Sequence, residues 1–133
     1  MDDLGHHYVL DIVLDDNEFL KDECQLQDFF KNVLNKTTFK VIGFLSHKFT
    51  TGGEGVTGIF LLSESHLSYH TYPESNYMSI DVYTCGSKCF SAVREIESSL
   101  MSADKIIVRY IERGSHIKAP LFNKSEVITE KVI

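Results

Sequence analysis

The chain of 133 residues lacks the features that mark membrane, secreted and nucleic-acid-binding proteins. No apolar run approaches the roughly 18 residues that a membrane-spanning helix requires. The first residues hold no basic segment followed by an apolar stretch, so we predict no secretory signal. Basic residues are scattered and the net charge is -6, whereas phosphate binding needs clustered lysine and arginine. We therefore expect a cytoplasmic protein that has neither a membrane nor a nucleic acid as its partner.

Cysteine is also scarce, and its pattern argues against both disulfides and metal. Cys24, Cys85 and Cys89 are an odd number of thiols in a chain that we expect to be cytosolic, so reduced thiols are predicted. Cys85 and Cys89 could be two metal ligands, but no histidine or cysteine follows them at zinc-like spacing. The glycines of residues 53–58 lack the lysine of a phosphate-binding loop, and no helical pattern follows them. We predict no metal site.

The composition that is present is typical of a globular protein. Hydrophobic residues make up 43% of the chain and charged residues 24%, which is close to the average for folded domains. A chain of this length can bury an ordinary core but is too short for two domains. The sequence therefore predicts a single domain over residues 1–133.

The apolar pattern alternates between the periods of strands and helices. Helical spacing predicts one helix over residues 17–34, with Asn17 as its cap, and a second over residues 87–101. After Gly114 the signals are weak. Such an order predicts a two-layer α+β sandwich, in which both helices cover one face of a largely antiparallel sheet. The predicted strands are residues 8–14, 39–49 (interrupted at Gly43), 56–62, 66–72, 78–84 and 106–111.

Reactive side chains are concentrated in residues 53–86, in blocks bordered by the predicted strands. Ser65 follows a glutamate and is followed by His66 and His70, and Cys85 stands between a threonine and a glycine. A hydroxyl, imidazoles, a carboxylate and a thiol are the groups that a reaction on the protein backbone itself needs. The concentration of these groups indicates an enzyme.

These blocks resemble the short prokaryotic type of S-adenosylmethionine decarboxylase, a pyruvoyl-dependent enzyme of spermidine synthesis. Where that family usually has serine and tryptophan, this chain has Thr57 and Tyr72, which keep a hydroxyl and an aromatic ring. The loop at residues 50–54 is longer than the family's proline-containing version. The motifs that carry the resemblance are residues 4–7, 46–49, 55–58, 63–66, 70–74, 81–86 and 112–114.

The resemblance implies that the chain cleaves itself between Glu64 and Ser65, giving residues 1–64 as the beta chain and 65–133 as the alpha chain. Ser65 attacks the Glu64 carbonyl and then becomes a pyruvoyl group, which forms a Schiff base with the substrate amine. His70 is the implied base of this processing, and Thr57 supports it. Cys85 is the implied proton donor in decarboxylation. Neither pyridoxal phosphate nor a metal is implied.

The implied substrate is S-adenosylmethionine, and its decarboxylated product is the aminopropyl donor for spermidine. The resemblance assigns substrate binding to Phe49, Leu67 and Glu74. Phe49 would stack on the adenine, and Glu74 would bind the ribose hydroxyls. The resemblance also implies a homodimer of processed units.

Two alternatives stay open at this point. The same fold and cofactor could serve an arginine or ornithine decarboxylase, because the pyruvoyl reaction involves only the amino acid end of a substrate. The chain could also be an unprocessed regulatory or binding homologue. The spacing itself raises one difficulty, since His70 is five residues from Ser65 and both reach one site only if the strand bends or bulges. His66 is expected on the face opposite to Ser65.

Overall fold

The computed structural model describes residues 3–86, 88–118 and 126–132. No helix in this part of the chain is both long and apolar enough to cross a membrane. The elements in chain order are β1 (Gly5–Val13), α1 (Asn17–Lys21), α2 (Glu23–Asn35), β2 (Val41–Lys48), β3 (Val56–Leu62), β4 (Ser65–Tyr72), a 3-10 turn (Pro73–Ser75), β5 (Tyr77–Cys85), α3 (Cys89–Ser99), β6 (Lys105–Arg113) and β7 (Glu126–Val132).

The strands form one antiparallel sheet in the order β2-β3-β4-β5-β1-β6-β7. Side chains along β3, β4 and β5 alternate between buried and accessible positions, as expected when one face of a sheet is covered. The covered face packs against the apolar sides of α2 and α3, with Phe30 of α2 stacked on Tyr69 of β4. The predicted α+β architecture with helices on one face is confirmed.

The first predicted helix is divided into two. Asp22 stands between α1 and α2 with an extended backbone, and its side chain accepts a hydrogen bond from the Gln25 N–H at 2.9 Å. It therefore acts as the cap of α2. The predicted cap at Asn17 is wrong, because Asp16 caps α1 while the Asn17 side chain donates to the Pro73 carbonyl at 2.6 Å.

The sheet is also larger than predicted. β7 pairs antiparallel with β6 and adds a seventh strand where the sequence signals after Gly114 are weak. Gly43, where the predicted second strand is interrupted, lies at a register shift between β2 and β3. β2 and β7 are the two edges of the sheet in the described part of the chain.

The β3–β4 hairpin carries the chemistry that the sequence singles out. Leu62 pairs with Ser65, so Ser63 and Glu64 form a two-residue turn at one end of the hairpin. Thr57 pairs with His70 at the other end. The hairpin therefore separates the two halves of the predicted site along its length.

Candidate active site

The first group of predicted residues lies at the turn end of the hairpin. We call Glu64, Ser65 and Cys85 the cleavage cluster. Ser65 is the first residue of β4, and Cys85 is the last residue of β5, the neighbouring strand. The Ser65 Oγ and the Cys85 Sγ are 4.0 Å apart. The register between β4 and β5 thus brings together residues that are twenty positions apart in sequence.

Cys85 makes two contacts to a single oxygen of the cleavage cluster. Its backbone N–H donates to the Glu64 carbonyl oxygen at 3.3 Å, and its thiol donates to the same oxygen at 3.1 Å. This oxygen would carry the negative charge if a nucleophile attacked the Glu64 carbonyl. Two donors aimed at such an oxygen form an oxyanion hole.

A cavity of about 240 Å³ adjoins the cleavage cluster. Its lining includes Glu64, Cys85, Gly86 and Lys88. The segment between α2 and β2 contributes Thr38 and Phe39. Sequence reasoning did not identify Lys88. Its position three residues after Cys85 is the sequence feature that could have pointed to it.

The second group of predicted residues lies at the far end of the hairpin. We call Phe49, Thr57, His70 and Glu74 the His70 pocket, since all four line one cavity of about 330 Å³. The Thr57 Oγ1 and the His70 Nδ1 are 3.0 Å apart, within hydrogen-bond distance. The cavity volume is in the range of small-molecule sites.

Close backbone packing holds the His70 pocket in shape. The buried Thr71 hydroxyl donates to the Leu20 carbonyl at 2.7 Å and accepts from the Val56 N–H at 2.9 Å. Gly55 lies so close to the Thr71 carbonyl oxygen that a Cβ at position 55 would collide with it. The wall of the pocket is thereby fixed to both β4 and α1.

Within one chain the two groups do not meet. β4 pairs continuously with both neighbours, without the bend or bulge that would bring His70 to Ser65. Five residues of regular strand separate them by roughly 16 Å. Buried positions Leu67 and Tyr69 alternate with accessible His66 and His70, so His70 faces the open side of the sheet. The bend or bulge that would bring His70 and Ser65 of one chain to a single site is therefore absent from β4.

The remaining candidates have structural surroundings. Leu67, predicted to bind substrate, is fully buried in the core and lines neither cavity. The His66 ring packs on Tyr83 at 5.8 Å between ring centroids. Cys89 is buried at the start of α3, and burial raises the pKa of its thiol. In the described residues no group of three or more histidine, cysteine, aspartate or glutamate side chains is arranged to hold a metal ion.

The open face of the sheet carries an apolar patch between the two groups. Ile59 and Leu61 are 40% and 52% exposed, and they follow Thr57 along the same face of β3. Leu45, the cross-strand partner of Ile59, is 73% exposed. Together the three side chains form an exposed apolar area on this face of the sheet.

Comparison with known proteins identifies the family. The profile of the S-adenosylmethionine decarboxylase family matches residues 6–114. Two relatives named S-adenosylmethionine decarboxylase proenzyme come from Methanococcus maripaludis strain C5 and Pyrococcus abyssi. The first is 35% identical over 116 residues, covering 86% of this chain and 93% of the relative. The second is 35% identical over 88 residues, covering 66% of this chain and 62% of the relative.

A solved structure shows the same fold. The adenosylmethionine decarboxylase from Aquifex aeolicus VF5 superposes with a TM-score of 0.76 at 28% sequence identity, covering 93% of this chain and 100% of that chain. The sheet, the helices on one face and the motifs of the hairpin thus agree with the sequence match. The chain belongs to the S-adenosylmethionine decarboxylase family.

Proposed function

We propose that this chain is a proenzyme that cleaves itself between Glu64 and Ser65 and then decarboxylates S-adenosylmethionine. The product would be the aminopropyl donor for spermidine synthesis. The observation that carries the proposal is the geometry of the cleavage cluster. The Glu64 carbonyl oxygen has two donors from Cys85, and the Ser65 hydroxyl is beside the same bond.

Cleavage begins with attack of the Ser65 hydroxyl on the Glu64 carbonyl carbon. The negative charge develops on the oxygen that Cys85 contacts, and the peptide C–N bond breaks to leave an ester and a free amine. A base then removes the Ser65 α-proton, and the Cβ–O bond breaks, which releases Glu64 as a carboxylate. The resulting unsaturated residue takes up water and loses ammonia, leaving a ketone at position 65.

The site suits a pyruvoyl group at the new chain end. Ser65 is the first residue of a strand and directly follows an exposed turn, so cleavage leaves position 65 paired between Leu62 and Thr84. The pairing of β4 with β3 and β5 from His66 onward would hold the new end in place. The pyruvoyl group supplies an electron sink for the electron pair that carbon dioxide leaves behind.

Cys85 and His70 move the protons in this proposal. The thiol is beside position 65, where it can return a proton to the substrate carbon after carbon dioxide leaves. The His70 imidazole, oriented through Thr57, is the base that removes the Ser65 α-proton. His70 cannot reach Ser65 of its own chain, so this step needs a second copy.

A homodimer would complete the site. The apolar patch on β3 runs between the His70 pocket and the cleavage cluster, and a two-fold axis near Ile59 would place each group of one copy against the other group of its partner. Burial of Leu45, Ile59 and Leu61 would stabilise the pair. The two-copy arrangement also explains why one regular strand carries both halves.

The His70 pocket is suited to the nucleoside part of the substrate. Glu74 offers a carboxylate to ribose hydroxyls, and Phe49, which is 45% exposed, offers a ring face to the adenine. The two relatives and the solved neighbour all carry the name of the same decarboxylase. We therefore favour S-adenosylmethionine over arginine or ornithine.

The proposed activity is tested by carbon dioxide release from carboxyl-labelled S-adenosylmethionine, arginine and ornithine. We expect release from S-adenosylmethionine alone, covalent trapping of its amine with cyanoborohydride on the chain that begins at position 65, and no release by Ser65→Ala. Release from arginine or ornithine but not from S-adenosylmethionine would reject the assigned substrate. An uncut wild-type chain with no activity would indicate a regulatory homologue.

A further inference from the structure

One side of the His70 pocket is a glycine-rich loop, residues 50–55, that joins β2 to β3. Gly52 and Gly53 have φ values of 73° and 134°, which side chains rarely adopt. A Cβ at position 53 would lie 3.7 Å from the Glu74 carboxylate. The backbone of the loop therefore packs against the carboxylate that we assign to the substrate.

The loop is held by lysines that lie outside the pocket lining. The partly buried Lys48 ammonium donates to the Glu54 carbonyl oxygen at 2.9 Å and also to the Lys21 carbonyl oxygen at the end of α1. The Lys21 ammonium is 3.2 Å from the Glu54 carboxylate. At the base of the loop, the Phe49 N–H donates to the Gly55 carbonyl at 2.9 Å. Lys48 thus links the loop to a helix.

Without these hydrogen bonds the loop would adopt many backbone conformations. Glycine has more backbone freedom than any other residue, and ordering such a segment during binding costs free energy that lowers affinity. Hydrogen bonds from a charged donor are stronger than neutral ones and fix the loop before the ligand arrives. An exposed ion pair such as that between Lys21 and Glu54 contributes less.

We propose that Lys48 is a positioning residue that holds the 50–55 loop as a preformed wall of the His70 pocket and so sets the affinity for the nucleoside part of the substrate. This inference rests on the proposed function. Lys48 contacts neither the pocket space nor the cleavage cluster, and it acts through the loop backbone beside Glu74. Its loss should therefore change binding rather than the chemical step.

The test compares Lys48→Met, which removes the donor, with Lys48→Arg, which retains a cation with several donors. We expect Lys48→Met to raise KM for S-adenosylmethionine about tenfold or more, with kcat within about twofold of wild type. Lys48→Arg should keep KM within about threefold. Lys36→Met is the matched control, because Lys36 pairs only distantly with Glu95 at 3.9 Å, away from the pocket.

Two further measurements test the same role of Lys48. Lys21→Met removes only the ion pair and should raise KM by less than about threefold. Hydrogen exchange should show faster exchange of the amides of residues 50–55 in Lys48→Met, with unchanged exchange in β4 and β5. An unchanged KM, an equal fall in kcat, or unaltered loop exchange would overturn the role of Lys48. Absence of decarboxylation by the wild-type protein would instead reject the proposed function itself.

Discussion

At the scale of single residues, Cys85 directs two hydrogen-bond donors at the Glu64 carbonyl oxygen, and the sequence indicates only one of them. A cysteine between threonine and glycine indicates a reactive thiol, whereas the backbone N–H that donates to Glu64 is set by the pairing of β4 with β5. The thiol is the donor that mutation can remove. The backbone donor stays in every variant.

Removal of the Cys85 thiol should slow cleavage without abolishing it. Loss of one donor from an oxyanion hole lowers rates by roughly 10²–10³, and a thiol is a weak donor, so we expect Cys85→Ala to cleave about ten- to a hundredfold more slowly. The time course of freshly synthesised protein on a denaturing gel measures this rate. Cys24→Ala, an exposed cysteine on α2, is the matched control. Cleavage of Cys85→Ala at the wild-type rate would exclude the thiol from the oxyanion hole.

Two tyrosine hydroxyls should respond to removal in opposite directions. The Tyr69 hydroxyl is buried without a hydrogen-bond partner among the described residues, and burial raises its pKa. The Tyr77 hydroxyl donates to Asp11. Burial is the larger cause, and the Asp11 carboxylate the smaller one, that together raise the pKa of Tyr77 to about 12. Tyr69→Phe should stabilise the fold by about 1–3 kcal/mol and Tyr77→Phe should destabilise it by about 1 kcal/mol. Urea unfolding in the background of the uncut Ser65→Ala protein measures both changes in the free energy of unfolding. Changes of the same sign would contradict the different hydrogen-bonding states of the two hydroxyls.

At the scale of secondary structure elements, the β3–β4 hairpin depends on a close contact between a glycine and an aromatic ring. Gly58 and Tyr69 are cross-strand partners, and the Tyr69 ring covers the space where a Cβ at position 58 would stand. The same ring stacks on Phe30 of α2 at 4.3 Å between centroids. One contact therefore fixes both the hairpin and the helix above it.

Gly58→Ala should destabilise the protein by about 1–3 kcal/mol, because the added methyl group collides with the Tyr69 ring. Gly43→Ala is the control, since its added Cβ would meet only Leu61 at an ordinary 3.7 Å. Unfolding free energies in a double-mutant cycle with Tyr69→Leu should show that the smaller side chain relieves most of the cost. Additive effects would show that the collision is not the cause.

Element prediction from the sequence succeeded where the signal was local. The continuous apolar run of β3 gave its bounds of Val56–Leu62 directly, and the amphipathic spacing found the region of both helices. The sequence does not predict the division at Asp22, because apolar spacing continues across it, although an aspartate with a glutamine three residues later, here Gln25, is a known cap signal. β7 was missed because it depends on pairing with β6, a partner that no local pattern reveals.

At the scale of the whole molecule, the two halves of the candidate site stand at opposite ends of one hairpin. Sequence motifs predict Thr57, Ser65, His70 and Cys85 as site residues, and the structure places them as two separate pairs, Thr57 beside His70 and Ser65 beside Cys85. They could not show the distance between the pairs, because that depends on a straight β4. A site divided in this way predicts complementation between defective copies.

Ser65→Ala and His70→Ala should each be inactive alone and should restore activity when they are expressed together. A mixed dimer combines the cleavage cluster of one copy with the His70 pocket of the other, which leaves one intact site of two. Random pairing makes half of the dimers mixed, so we expect about a quarter of wild-type decarboxylation.

Different affinity tags on the two variants allow the mixed dimer to be purified, so that failure to pair is recognised. Cleavage should occur only in the His70→Ala chain of that dimer, because the other chain lacks the serine nucleophile. A purified mixed dimer without cleavage or activity would place Ser65 and His70 in the same chain's site.

Self-cleavage is tested most directly by the intact mass of the purified protein after prolonged incubation under native conditions. Self-cleavage between Glu64 and Ser65 would give two polypeptides, residues 1–64 and residues 65–133, the second with a carbonyl in place of its amino group. A single uncut chain of 133 residues that does not react with carbonyl reagents would contradict it.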